Sequence, residues 1–385
     1  MKPVKTRLAA PGPVEVPSAV LQAMARPPLH HRSDAFATQL VEARSVLADL
    51  AAVPGGDVAI LSGNGTTAFE AAFLATVPRG ARVVAAHAGK FGARWATLAR
   101  THGHPVVDVT APWGAALAPD AIADAVAEAG ASGEPVGAVT LVHSETSTGV
   151  LHDVAAQAAA VRAVAPHARI VVDAVTSFGV SELRPEAWGL DAVVAGSQKG
   201  VLLPPGLGFV WLSDRVRAAP PEPARSVALD VHGELDAQKA GRTRTTPAVG
   251  LVAGLAAARP ALLAEGVEAL WARRARLGAA LLAAGEAAGL TAFAERPSPA
   301  VAALRVPEGT SAPDVVAAFA RRGVRIAGGQ DDAKPFLIRP SLLGFADAYD
   351  ALGLAGTLEA VLREVGLDVP YGAASAAAAE VLEGA

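Results

Sequence analysis

The sequence contains no cysteine. Disulfides, thiolate metal sites and cysteine nucleophiles are therefore excluded. Aromatic residues are scarce: 10 Phe, 5 Trp and 2 Tyr make 4% of the 385 residues, while 52% of the chain is hydrophobic. The core must be built largely from Ala, Val and Leu. A marked excess of either charge is lacking too. A formal net charge of −4 gives no reason to expect a nucleic-acid or anionic-membrane partner. The longest apolar run, Ala248 to Ala258, is far short of the roughly 20 residues that span a bilayer. The N-terminal MKPVKTRLAAPGPVEVP is basic but has no sustained apolar stretch, so no secretory signal is read. The expectation is a soluble, cytoplasmic protein without a metal site.

From about residue 57 a rhythm is present. Short apolar runs (DVAILS, ARVVAAHA, GAVTLVHS, ARIVVDAV, LDAVVAGS, GFVWLS) alternate with helical stretches such as TTAFEAAFLATV and DVAAQAAAVRAV. Strands apolar throughout, interleaved with helices, predict a mostly parallel sheet covered on both faces. Past about residue 259 the pattern changes. A long helical segment, GVEALWARRARLGAALLAAGEAAG, leads to a strand candidate AVAALRV, a helix, short strands VRIAGG and FLIRP, and a last long helix. That order predicts a smaller α+β domain. The length suits one large and one smaller core. The tail AASAAAAEVLEGA is either helical or frayed.

A glycine-rich turn, SGNGTTAFEA (Ser62 to Ala71), follows one strand candidate and opens a helix. Gly63, Gly65 and Ala68 fit a dinucleotide fingerprint, so a dehydrogenase is one reading. That fingerprint also wants a carboxylate at the end of the next strand to hold a ribose. Here the strand ends Ala86-His87-Ala88-Gly89, with none. Such a turn still suits a lone phosphate, because free backbone N–H groups at a helix N-terminus point at it. The plain alternative is a tight capped turn.

Two polar residues interrupt apolar strands. Asp173 lies in IVVDAV, and Lys199 follows LDAVVAGS in GSQKGVLLPPG. Burying either charge is costly without a partner. Both sit near C-terminal strand ends, where ligands bind in open α/β sheets. They could form a structural salt bridge with each other. With the phosphate turn they also match what pyridoxal phosphate needs: a lysine amine to bond its aldehyde, an acid to keep its ring nitrogen protonated, and a phosphate cradle. Lysine suits the task because its pKa falls readily in a dehydrated site.

Over most of its length the chain resembles the class V, fold-type I aminotransferases of the alanine–glyoxylate / serine–pyruvate family. SGNGTTAFEAA, AGKFGARW, HSETSTGV, VDAVTSFG, GSQKGVLLPPG and IRPSLLG occur in that family's order. The resemblance implies an α/β fold of the pyridoxal-phosphate transferase type. It divides the chain into an N-terminal arm over the active site (1–20), a large cofactor-binding domain (21–258) and a small α+β domain (259–385). Lys199 would be the cofactor lysine and Asp173 the partner of the ring nitrogen. Asn64, Gly65 and Thr66 would bind the phosphate, with Gln198 adding a donor. Val175 would pack on one ring face. Phe91 falls where many relatives carry a stacking tryptophan, and its alternative is core packing. Thr146 would bond near the ring hydroxyl or Asp173, or serve as a turn residue.

Arg339 falls at the family's clamp for the substrate α-carboxylate, a bidentate task suited to a planar guanidinium. Pro340 beside it departs from the small residue usual there. Gly12 and Pro13, in PGPVEVP, would lie near the substrate. The family's active site sits between two subunits, so a homodimer is implied, with Thr245 of GRTRTTPAV reaching the partner's phosphate. Arg242 stands where a tyrosine is frequent. Arg242 and Arg244 are left open between phosphate, a second substrate carboxylate and solvent. His30, His31 and Arg32 are read as surface residues or as an entrance lining.

The implied reaction is transfer of an amino group from a small amino acid, of the alanine or serine class, to a 2-oxo acid such as glyoxylate or pyruvate. Alternatives are a lyase on the same cofactor, an unusual donor (ureidoglycine, aspartate or an aminophosphonate), and a non-catalytic accessory subunit. The absence of cysteine argues against a cysteine desulfurase.

Overall fold

The structure, a computed structural model, describes residues 5–131, 135–220 and 224–384. Seven strands form the central sheet: β1 (Val58–Ser62), β2 (Arg82–His87), β3 (Val106–Thr110), β4 (Val136–Val142), β5 (Arg169–Asp173), β6 (Ala192–Gly196) and β7 (Leu207–Leu212). Their spatial order is β1-β7-β6-β5-β4-β2-β3. β7 runs antiparallel to both neighbours and every other pairing is parallel. The apolar runs explain this arrangement: β6 and β7 are buried at every position, as two covered faces require.

Side chains alternate across the sheet. Ile170 and Val172 join one apolar cluster, while Val171 joins the other; Val193 and Ala195 likewise oppose Ala192 and Val194. Helix α1 (Asp34–Leu50) covers the first face through Phe36, Leu40 and Leu47. Helices α2 (Gly65–Thr76) and α3 (Lys90–Thr101) cover the second through Phe69, Phe73 and Trp95. These four aromatics thus lie inside, and burying each stabilises the fold by about 1.5–3 kcal/mol.

A second core contains Ala9 and runs from Leu277 to Ala378. Its four-stranded antiparallel sheet follows the order Thr291–Ala292, Leu304–Arg305, Leu337–Arg339, Ala327–Gly328. Helices α4 (Val267–Ala287), α5 (Ala312–Arg321), α6 (Ala348–Glu364) and α7 (Ala373–Glu383) pack around it. Helix α4 serves both cores, with Leu270 in the first and Leu277 in the second.

The structure differs from the sequence expectation in detail. β3, from PVVDVT, is an additional edge strand whose polar Asp108 and Thr110 break the apolar run. AVAALRV yields only the strand Leu304–Arg305. VRIAGG splits in two: Val324–Arg325 pairs in parallel with Arg7–Leu8, whereas Ala327–Gly328 joins Leu337–Arg339. The tail is helical, closed onto α6 by Glu359, which accepts from Gly372 N and Ser375 N, both at 3.0 Å. Among the described residues no single helix is long and apolar enough to cross a membrane.

Candidate active site

Gly63 makes the turn after β1 possible. Its φ of +152° is in the region that favours glycine, and a Cβ there would lie 2.3 Å from Thr67 Oγ1. Asn64 then caps α2. Its side-chain oxygen accepts from Thr66 N at 2.9 Å and Thr67 N at 3.2 Å, and Thr67 Oγ1 accepts from Asn64 N in return. Asn64 is thus committed to the helix. Helix geometry leaves the Gly65 N–H without an intrahelical partner, and the Thr66 hydroxyl stands beside it at the cleft.

Asp173 ends β5 on the same face as Val171, the face covered by α2 and α3. Lys199 follows β6 in a loop closed by Ser197, whose Oγ donates to Pro204 O at 2.8 Å and accepts from Leu207 N at 3.1 Å. The ends of β1, β5 and β6 so open into one cleft of about 530 Å³. Nine of the anticipated residues line it: Asn64, Gly65, Thr66, Phe91, Thr146, Asp173, Val175, Gln198 and Lys199. Lys199 and Asp173 form no direct ion pair, so the structural salt bridge considered from sequence is absent. Lys199 Nζ donates instead to Pro11 O, and Asp173 accepts from Val175 N at 2.9 Å.

Burial sets the electrostatics of both groups. It pushes the Asp173 carboxyl up to about 7, an effect opposed by the Val175 N–H and reinforced by Glu145. Burial also pulls the Lys199 amine down to about 8, with Asp173 opposing and Arg339 assisting. Arg339, 5% exposed, is lowered to about 10 by burial, with Glu145 opposing. Its Nη1 donates to Thr146 O at 2.6 Å and its Nε to Gly328 O at 2.8 Å. Its Nη2 makes no hydrogen bond or ion pair among the described residues.

Other expectations are met differently. The Thr146 hydroxyl bonds Thr176 Oγ1 at 2.8 Å rather than Asp173, because the two threonines face each other at adjacent strand ends. Gly12 abuts Lys199, and a Cβ on it would lie 2.8 Å from the lysine chain. Pro13 is exposed. Thr245 is exposed and outside the cleft of its own chain. Arg244 is held by Asp230, and Arg32 Nη1 donates to Thr243 O at 2.8 Å, which ties the HHR loop to this segment. His30 and His31 stack at 5.0 Å. The dinucleotide reading gains no carboxylate from the end of β2, where His87 pairs with Asp108 of β3 at 3.1 Å.

Three features were not singled out from sequence. Arg94, one turn beyond Phe91, lines the cleft with its guanidinium 4.8 Å from the Phe91 ring centre. Thr176 also lines it. Glu145 is fully buried behind it. The i, i+3 spacing of Phe91 and Arg94 could have flagged the first; the other two depend on contacts distant in sequence.

The profile of the family "Aminotransferase class-V" matches residues 15–346. The chain belongs to the class V aminotransferases. It is 34% identical to the L-aspartate–glyoxylate aminotransferase of Paracoccus denitrificans, over 96% of this chain and 94% of that protein. It is 38% identical to a Synechococcus protein named "Soluble hydrogenase, small subunit", over 98% of each chain. Among solved structures it resembles the aspartate aminotransferase of subgroup IV from Thermus thermophilus. That match has a TM-score of 0.86 and 41% identity, over 93% of this chain and 99% of the other.

This class V aminotransferase depends on pyridoxal phosphate, and the residues present fit that group. Gln198 Oε1 is buried beside the cradle without a hydrogen-bond partner among the described residues, and turning the amide over would present its Nε2 donor to a phosphate there. The α2 N-terminus offers N–H groups suited to a phosphate. Asp173 and Lys199 place in the cleft an acid and an amine of the kind the ring requires.

Proposed function

We propose that the protein moves the amino group of a small L-amino acid, of the alanine or serine class, to a 2-oxo acid such as glyoxylate or pyruvate. The observation that carries this reading is that Lys199 and Asp173 line one cleft, with buried Arg339 near enough to Lys199 to help lower its amine and bonded to Thr146 O of the cleft wall. Bound there, pyridoxal phosphate supplies the electron sink that makes the substrate α-carbon acidic. Gly65 N–H, Thr66 and Gln198 would hold its phosphate, Phe91 and Val175 its ring faces, and Asp173 the proton on its ring nitrogen. Arg339 would clamp the substrate carboxylate in bidentate fashion. An amine lowered to about 8 keeps a usable uncharged fraction near neutral pH, so Lys199 Nζ can take the proton from the α-carbon and return it two bonds away, beyond the amino nitrogen. The Pro11–Gly12 segment, against Lys199, excludes water.

An aspartate donor is the second reading. It is favoured by Arg94, a cation at the cleft that makes no salt bridge among the described residues, and by the aspartate-specific names of two relatives. We further propose a cytoplasmic homodimer in which Thr245 reaches the partner's cradle.

The test is a half-reaction. Protein loaded with pyridoxal phosphate receives alanine, serine or aspartate without acceptor, and the visible absorbance of the bound cofactor is followed. Loss of the band with one donor, and its return on adding glyoxylate or pyruvate, names both substrates. A band that responds to no amino acid would overturn the proposed substrates.

A further inference from the structure

Helix α3, which carries Phe91 into the cleft, begins without a cap of its own. Its N-cap residue is Gly89, which has no side chain to accept the free N–H groups of the first turn. The acceptor comes from elsewhere in the chain. Glu145, 0% exposed, accepts from Phe91 N at 3.1 Å and Gly92 N at 2.9 Å through Oε2, and from Ser147 N at 3.0 Å through Oε1. The Ser147 hydroxyl donates to the same Oε1 and accepts from Lys90 N at 3.0 Å. Every donor in the first turn of α3 therefore ends on Glu145 or Ser147. The fit is close: a Cβ at Gly89 would lie 2.5 Å from Glu145 Cγ, so glycine is required there.

The same short segment holds the opposite wall. The Thr146 carbonyl, between Glu145 and Ser147, accepts from Arg339 Nη1 at 2.6 Å. The Thr146 hydroxyl meets Thr176, in the turn that follows Asp173. Glu145 thus lies where the helix bearing the ring-stacking phenylalanine and the arginine facing the substrate share one support. A carboxylate collecting N–H donors at a helix start is a strong, charge-assisted anchor.

We infer that Glu145 is a positioning residue for the transamination: its buried carboxylate fixes Phe91 relative to Arg339, and so sets how the cofactor ring and the substrate carboxylate are presented to each other. The inference rests on the aminotransferase reading of the cleft. Substitution by glutamine keeps the size, removes the charge and turns an N–H2 group toward backbone donors. The anchor is lost while the volume is conserved.

The test compares wild type, Glu145→Gln and Ser147→Ala. Each is stripped of cofactor and titrated with pyridoxal 5′-phosphate. The readouts are the dissociation constant, the visible circular dichroism of the bound cofactor, the KM for the amino donor and the thermal midpoint. Glu145→Gln is expected to raise the dissociation constant and the donor KM by about tenfold and to weaken the dichroism band; Ser147→Ala, which removes one hydroxyl, should shift the same quantities by about threefold. A lower midpoint with wild-type binding and dichroism would make Glu145 merely structural and overturn the inference. Should Glu145→Gln fail to fold, Ser147→Ala decides: unchanged binding, dichroism and KM overturn it, and the threefold shifts sustain it. Wild-type protein that binds the cofactor yet transaminates no tested donor would count against the proposed substrates, while the binding and dichroism arms would still judge Glu145.

Discussion

At the scale of single residues, the site is defined by polar groups that a purely structural strand would not carry. Lys199 is the sharpest. It is drawn into a dehydrated cleft, its amine is lowered to about 8, and no carboxylate is bonded to it. Lys199→Ala should leave the fold intact, because among the described residues the side chain hydrogen-bonds only to Pro11 O. Its turnover should fall by at least about a thousandfold. Borohydride treatment followed by mass measurement should attach cofactor to the wild-type chain and not to the variant; attachment to both would place the reactive lysine elsewhere. Gly63 makes a second prediction. At φ +152°, with Thr67 Oγ1 2.3 Å from any added Cβ, Gly63→Ala strains the turn and pushes on the capping box. The expected loss is about 1–3 kcal/mol in urea unfolding. A loss under ~0.5 kcal/mol would mean that the turn yields freely.

At the scale of elements, the ribbon formed by Ser144–Glu145 and Val150–Leu151 is flanked by two buried imidazoles. Burial, then His152, lowers His143 to about 3; burial, then Arg296, lowers His152 to about 4. Below the ordinary value of 6.5 the unfolded chain therefore binds protons that the folded one refuses. This contribution to stability is fully present above pH 6.5 and is lost as pH falls toward 3–4. His143→Asn, which cannot be protonated, should flatten the decline of the thermal midpoint of cofactor-free protein between pH 6.5 and 4. An equally steep decline in the variant would assign the acid sensitivity to other groups. The site matters here because His143 N donates to Asp173 O at 2.9 Å, so melting the ribbon loosens the end of β5.

Elements and site differed in how legible they were. The apolar strands announced a covered sheet because each is long enough to bury both faces. Asp173 and Lys199 stood out because charge inside an apolar run demands a reason. The pairing of Arg7–Leu8 with Val324–Arg325 could not be read, since two-residue strands carry no periodicity. Glu145 was equally hidden: its motif was visible, but the donors that give it meaning lie at Phe91 and Gly92, far away in sequence.

At the scale of the molecule, the N-terminal segment joins the two cores at the active site. Arg7–Leu8 pairs with Val324–Arg325, Ser341 N donates to Ala9 O at 2.8 Å and Phe345 N to Glu15 O at 3.0 Å, while Pro11 and Gly12 meet Lys199. Buried Arg274 of α4 steadies the same region by donating to the carbonyls of Leu342, Leu343 and Gly344, just beyond Arg339. One chain thus brings Lys199, Asp173 and Arg339 into one region, but leaves Thr245 exposed and outside its own cleft. If a twofold partner supplies Thr245, the defect of a Thr245→Ala chain appears in the other subunit's site. Mixed dimers of Lys199→Ala and Thr245→Ala chains separate the cases. With Thr245 acting across the interface, one of their sites combines an intact lysine with an intact threonine, and the other carries both defects. Purified mixed dimers should then show about half of wild-type turnover per dimer, with a wild-type KM, although both parent variants are impaired. With Thr245 acting within its own chain, no mixed dimer contains an intact site, and activity stays at or below that of the Thr245→Ala parent.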